Sequence, residues 1–85
     1  MTLCGTVEYM APEMILRQPY THKVDIWGLG ILLFELIEGR APFEGQNQDE
    51  VLSKMKKPFF FSKNFTKDEI DLIHRIIKVD PNERL

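Results

Sequence analysis

An all-α fold is predicted for this 85-residue chain, and three observations predict it. The segment "VDIWGLGILLFELI", Val24 to Ile37, is apolar over the length of a long helix and stops just short of a glycine. Thr66 and Glu69 have the spacing of a capping box, with Ile70, Ile73, Ile76 and Ile77 recurring behind them at helical intervals. No stretch alternates apolar and polar residues as a half-buried strand does. The expected architecture is a buried central helix, two further helices and long loops.

Each element follows from local chemistry. Met1 to Val7 carry no helical period and include Gly5, so an extended loop is expected. In "APEMILR" the proline falls where a first helical turn tolerates it, because its missing N–H would be unpaired there anyway. A short helix over Pro12 to Leu16 follows, and Pro19 ends it by disfavouring helix at Gln18. Thr21 is the expected N-cap of the central helix, with Gly39 as its closing residue.

Ten bulky apolar side chains of the central helix cover all its faces, and a helix apolar all round belongs in the middle of other elements. Gly28 and Gly30 each cost about 1 kcal/mol of helix propensity against alanine, which makes sense if another backbone approaches there. Eighty-five residues offer too few partners to enclose such a rod. The chain is therefore expected to be part of a larger body.

"GRAPFEG" reads as a turn-rich connector. Asn47 then caps a helix with Val51, Leu52 and Met55 on one face. "PFFFSKNF" reads as a loop with anchoring aromatics. The Thr66 helix ends before Pro81, and "DPNERL" begins a turn.

Composition narrows the class. Hydrophobic residues make up 44% and charged residues 28%, the profile of a globular domain. The net charge of −2 draws the chain as a whole neither to nucleic acid nor to an anionic membrane. The apolar segment is short for a bilayer span and is interrupted by Asp25 and Glu35. The lone cysteine, Cys4, excludes an internal disulfide and fits a reducing, intracellular compartment, cytoplasmic or nuclear. His22 and His74 have no Cys or His at ligand spacing, so no metal site is expected.

Three segments carry a resemblance. "TLCGTVEYMAPE" resembles the end of the activation segment of a eukaryotic protein kinase, with the Ala-Pro-Glu motif at Ala11, Pro12 and Glu13. "VDIWGLGILLFELIEGRAPFEG" resembles the central helix of the kinase C-terminal lobe and the loop after it. "DLIHRIIKVDPNERL" resembles the last segment of that lobe, which carries an arginine. The match runs over essentially the whole chain. Thr-Leu-Cys-Gly-Thr is similar to the Aurora-like and cAMP-dependent-kinase-like group, and "GTVEYMAPE" is of serine/threonine type.

The resemblance implies that residues 1–85 are a C-terminal-lobe fragment, without the N-lobe, catalytic loop and metal-binding motif. No glycine-rich loop, Val-Ala-Ile-Lys, His-Arg-Asp or Asp-Phe-Gly occurs in the sequence, and those parts hold ATP, magnesium and the catalytic aspartate. ATP and Mg are implied for the intact kinase, and none is expected to bind these residues. No catalytic residue is expected here.

Residue by residue, the resemblance makes Glu13 and Arg84 a buried ion pair, against the alternative of two unrelated surface charges. Asp25 matches an aspartate that braces the catalytic loop, or is an exposed first-turn carboxylate favoured by the helix dipole. Trp27 is core filling. Thr2 matches the activation-loop phosphorylation site, and Thr6 a threonine that bonds the catalytic residues. Leu3, Val7 and Met10 match the pocket for the substrate residue after the phosphoacceptor. Glu35, and more weakly Glu8, match carboxylates that recognise an arginine before the acceptor, with a solvated helix glutamate as the alternative for Glu35.

The implied function is the substrate-binding and scaffold part of a serine/threonine protein kinase. Its partners are a protein or peptide substrate, basic around the acceptor, and the kinase regions absent from the sequence; nucleic acid and membrane are not expected. The alternative is a non-catalytic, truncated or degenerate fragment acting as a helical interaction module.

Overall fold

The computed structural model describes residues 7–58 and 60–85. Among the described residues, α1 (Pro12–Ile15), α2 (Lys23–Glu38), α3 (Gln48–Met55), α4 (Lys67–Ile76) and the 3₁₀ turn Pro81–Glu83 carry the core. The described residues contain no strand, as expected.

Pro12 opens α1 at a position whose N–H has no use. The helix ends in a paired-bond motif. Gln18 N–H donates to Glu13 O at 2.9 Å and Arg17 N–H to Met14 O at 3.1 Å, while Arg17 sits at φ +57°. That is a Schellman termination with arginine in the left-handed place where glycine is usual. Val7, the one described residue of the expected extended N-terminal loop, is instead helical, and its carbonyl accepts from Met10 N–H at 3.2 Å.

The start of α2 differs from expectation. Its N-cap is His22, which is in helical conformation and offers no side-chain cap. Thr21 sits one residue earlier and accepts from Lys23 N–H through Oγ1 at 3.3 Å. Gly39, at φ +92°, closes α2 by donating to Glu35 O at 2.8 Å.

The other helix starts follow their signatures. Asn47 accepts from Glu50 N–H at 2.9 Å. Glu69 N–H donates to Thr66 Oγ1 at 3.2 Å, and Thr66 N–H donates to Glu69 Oε1 at 2.8 Å. The loop before α4 is pinned to the end of α2, where Glu38 Oε1 accepts from Ser62 Oγ at 2.6 Å and Asn64 Nδ2 at 3.2 Å.

The core lies between α2 and its partners. Helix α2 packs on α4 and on the 3₁₀ turn, and α1 packs on α3. Trp27, Ile31, Phe43, Val51 and Ile73 are fully buried. Trp27 stacks on Phe43 with centroids 5.9 Å apart, and Phe34 tilts against Phe65 at 4.9 Å.

One expectation about α2, that of a close backbone at its glycines, needs correction. The close approach at Gly30 comes from side chains, not backbone: a Cβ there would overlap Ile76 Cγ2 and lie 2.9 Å from Ile77 Cδ1. Gly28 meets nothing within 4 Å. As expected, the described residues do not enclose the helix. Trp27, Gly30, Ile31 and Phe34 are buried, but Leu29, Leu32 and Leu36 are 60%, 43% and 74% exposed. An uncovered face is the consequence expected of so apolar a rod in so short a polypeptide. No helix of the described residues is long and apolar enough to cross a membrane.

Candidate functional site

The strongest polar constellation joins the first described segment to the last. Arg84 is buried, and so is Glu13. Arg84 Nη1 donates to Glu13 Oε2 at 2.7 Å and Nη2 to Glu13 Oε1 at 2.8 Å. A planar guanidinium is the cation suited to this two-point grip. Its three other N–H groups reach backbone carbonyls: Nε to Lys78 at 2.8 Å, Nη1 to Lys23 at 3.0 Å and Nη2 to Val79 at 3.3 Å. All five donors are therefore used, which is the condition under which a charge can be buried without a large penalty.

Burial pushes the Glu13 carboxyl up. The hydrogen bonds from Arg84, a bond to its own backbone N–H and the arginine charge outweigh that and hold it below the usual carboxylate range. Trp27 covers the pair from one side, with Arg84 Cζ 4.9 Å from its ring centroid. This is cation–π range, so Trp27 does more than fill the core. Its Nε1 is buried without a partner among the described residues.

Lys23 completes the constellation, and the sequence reading missed it. Its carbonyl accepts from Arg84, while its Nζ donates to Arg84 O at 3.2 Å and Leu85 O at 2.7 Å. The one sequence signal was a cation in the first turn of a helix, where the dipole disfavours it. The carbonyls of the last two residues supply the reason for it.

The second feature is an apolar groove of about 590 Å³ beside α2. Tyr9, Met10, Met14, Val24, Leu29 and Leu32 line it, with Asp25 and Gly28. Asp25 is exposed at its edge.

The residues singled out in the sequence thus fall into separate places. Glu13, Arg84 and Trp27 come together in the hub. Met10 and Asp25 share the groove. Val7, Glu8 and Glu35 are half-buried, and none of them lines the groove. Thr2, Leu3, Cys4 and Thr6 lie outside the described residues. The hub reaches the groove through short stretches of chain: Glu13 is three residues from Met10 and next to Met14.

Comparison with known proteins places this geometry in a family. The protein kinase domain model matches residues 1–85. The chain is 43% identical to an Aurora kinase of Candida albicans, covering 100% of this chain and 16% of that protein. It is 44% identical to a serine/threonine-protein kinase H1 homolog of Danio rerio, covering 99% and 21%. It is 38% identical to Aurora kinase C of Mus musculus, covering 99% and 31%. The chain thus spans less than a third of the length of each of these relatives.

Proposed function

The chain belongs to the protein kinase domain family, and from that premise we propose that it supplies the substrate-binding and scaffold portion of a serine/threonine protein kinase. The intact kinase transfers the γ-phosphoryl group of ATP, with magnesium, to a protein serine or threonine. Catalysis of that kind is mainly positioning and electrostatic stabilisation, and these residues serve the positioning.

In this reading the nucleotide and the metal are held by other regions of the intact kinase. The described residues contain no group of three His, Cys, Asp or Glu that could hold an ion, and the sequence carries no phosphate-cradling glycine loop. No step of the reaction is therefore assigned to this chain.

The observation that carries the proposal is the Glu13–Arg84 hub. It ties the segment leading to Met10 onto α2 and the far end of the chain, so the surface a peptide would lie on is braced from beneath. Leu3, Val7 and Met10 take the substrate residue after the acceptor, and Glu35 and Glu8 favour a basic substrate. In the same reading Thr2 matches the phosphorylation site and Thr6 the threonine that bonds the catalytic residues of the intact kinase. Residues 1–85 belong to the C-terminal lobe, and the exposed Leu29, Leu32 and Leu36 mark where preceding kinase segments cover α2.

The test is kinetic. An intact Aurora-like kinase in which these 85 residues replace the matching segment is assayed on peptides with basic or acidic residues before the acceptor. Preference for the basic peptide, lost on Glu35→Gln, supports the reading; equal turnover of both peptides sinks the substrate assignment.

The exposed leucine face favours a second reading, a non-catalytic fragment that binds a partner helix. The genomic reading frame separates the two. A His-Arg-Asp and an Asp-Phe-Gly upstream in frame support the kinase, and their absence supports the fragment.

A further inference from the structure

The segment from Val51 to Lys67 contains five lysines and no aspartate or glutamate, a bias that the overall charge of −2 conceals. It covers the end of α3 and the loop before α4. Lys54, Lys56, Lys57 and Lys63 are all exposed. Of the nearby acidic residues, Asp49 and Glu50 are in the first turn of α3, Glu38 is held by Ser62 and Asn64, and Glu44 is exposed near Lys54.

Phe60 is the most exposed large hydrophobic residue described, at 87%. Phe61 and Phe65 face the other way. Phe61 packs against Phe34, Phe65 and His74, and Phe65 is buried. The loop is thus anchored from within while one phenyl ring is held in water. A cavity of about 410 Å³ draws Phe60, Lys54, Lys57 and Arg40 around one opening, with Glu38 and Glu44 also in its wall. Lys54 donates to the Glu44 carbonyl, which fixes its ammonium at the rim.

We propose that the end of α3 and the following loop are a docking surface for an anionic lipid bilayer, with Phe60 entering the headgroup layer and Lys54, Lys56, Lys57 and Lys63 meeting lipid phosphates. A protruding apolar side chain that shares an opening with Lys54 and Lys57, with exposed lysines on either side of it in the chain, matches the two needs of interfacial binding, apolar burial and attraction to anionic lipid. Neither alone holds a protein to a membrane, but the two together do. A single-stranded nucleic acid fits less well, since it tracks a series of exposed stacking rings, and here only Phe60 of this loop's described aromatics is outward. An acidic peptide entering the cavity would meet Glu38 and Glu44. The proposal is independent of the kinase reading.

Flotation of the 85-residue chain with vesicles tests it. Phosphatidylcholine vesicles containing phosphatidylserine should carry the chain, pure phosphatidylcholine vesicles should not, and added salt should release it. Lys54→Glu combined with Lys57→Glu should weaken binding by roughly 25-fold or more, at about fivefold per lysine. Phe60→Ser should weaken it about tenfold, with an unchanged circular dichroism spectrum because the ring is exposed. Leu32→Lys combined with Leu36→Lys should keep the preference for anionic vesicles. Equal binding to both vesicle types overturns the proposal. So does loss of binding in the leucine variant alone. So does a chain that ignores vesicles but binds single-stranded oligonucleotides through Phe60.

Discussion

Arg84 shows how one residue can carry a disproportionate share of a small fold. Its guanidinium is buried with every N–H satisfied, two on Glu13 and three on carbonyls of Lys23, Lys78 and Val79. Removing one partner leaves the other charge stranded in the interior, which costs about 3–5 kcal/mol. For a chain of 85 residues that is a large part of the total stability. Glu13→Ala should therefore abolish the cooperative urea transition, followed by circular dichroism. Arg84→Lys keeps the charge but not the fork, and should fail similarly.

The hub also predicts a pH response. The Glu13 carboxyl is held below its ordinary value in the folded chain, so the unfolded state binds its proton more readily. Its stabilising contribution is complete above the ordinary carboxylate range and is lost as pH falls through the lowered folded value. The wild-type melting temperature should fall as pH is lowered through the acid range in which Glu13 takes up its proton. A melting temperature flat across that range would mean that the pair does not govern acid stability.

At the scale of the element, helix ends and one close contact decide the outcome. The Schellman end of α1 asks for φ > 0 at position 17, and arginine accepts that conformation under strain. Arg17→Gly should raise stability by up to about 1 kcal/mol, read by thermal melting, because relief of strain exceeds the added chain entropy. The two helix glycines should respond oppositely. Gly28→Ala faces open space and should gain roughly the 1 kcal/mol of helix propensity. Gly30→Ala drives a methyl into Ile76 and Ile77 and should lose about 1–3 kcal/mol through overpacking. A pair of urea titrations in the same host checks both signs.

At the scale of the molecule, the uncovered face of α2 dominates behaviour in solution. Leu29, Leu32 and Leu36 line one side of the helix at helical spacing and remain largely in water. A contiguous apolar strip of that kind promotes association. The isolated chain should self-associate in sedimentation velocity experiments, and Leu36→Lys should shift it toward monomer. Its stability should change by no more than about 0.5 kcal/mol, the usual range for an exposed position. A monomeric wild type would show that the strip is harmless on its own.

Helix starts were legible in the residues because they are local. Asn47 and Thr66 cap within three positions of themselves, and Gly39 closes α2 by a bond to Glu35 four residues back. The apolar count of α2 likewise announced more hydrophobic surface than the chain could cover. What no local rule could supply was the long-range traffic. Lys23 reads as a misplaced cation until the carbonyls of Arg84 and Leu85, about sixty residues away, arrive beside it. Gly30 looks like a spacer for a neighbouring backbone, and only the packing of α4 on α2 shows that two isoleucine side chains fill that place. Composition and capping set what each segment had to be, because those energies act over a few residues. Which side of α2 would be buried, and how a guanidinium would find five acceptors, depended on the meeting of distant segments, and only the folded arrangement decides that.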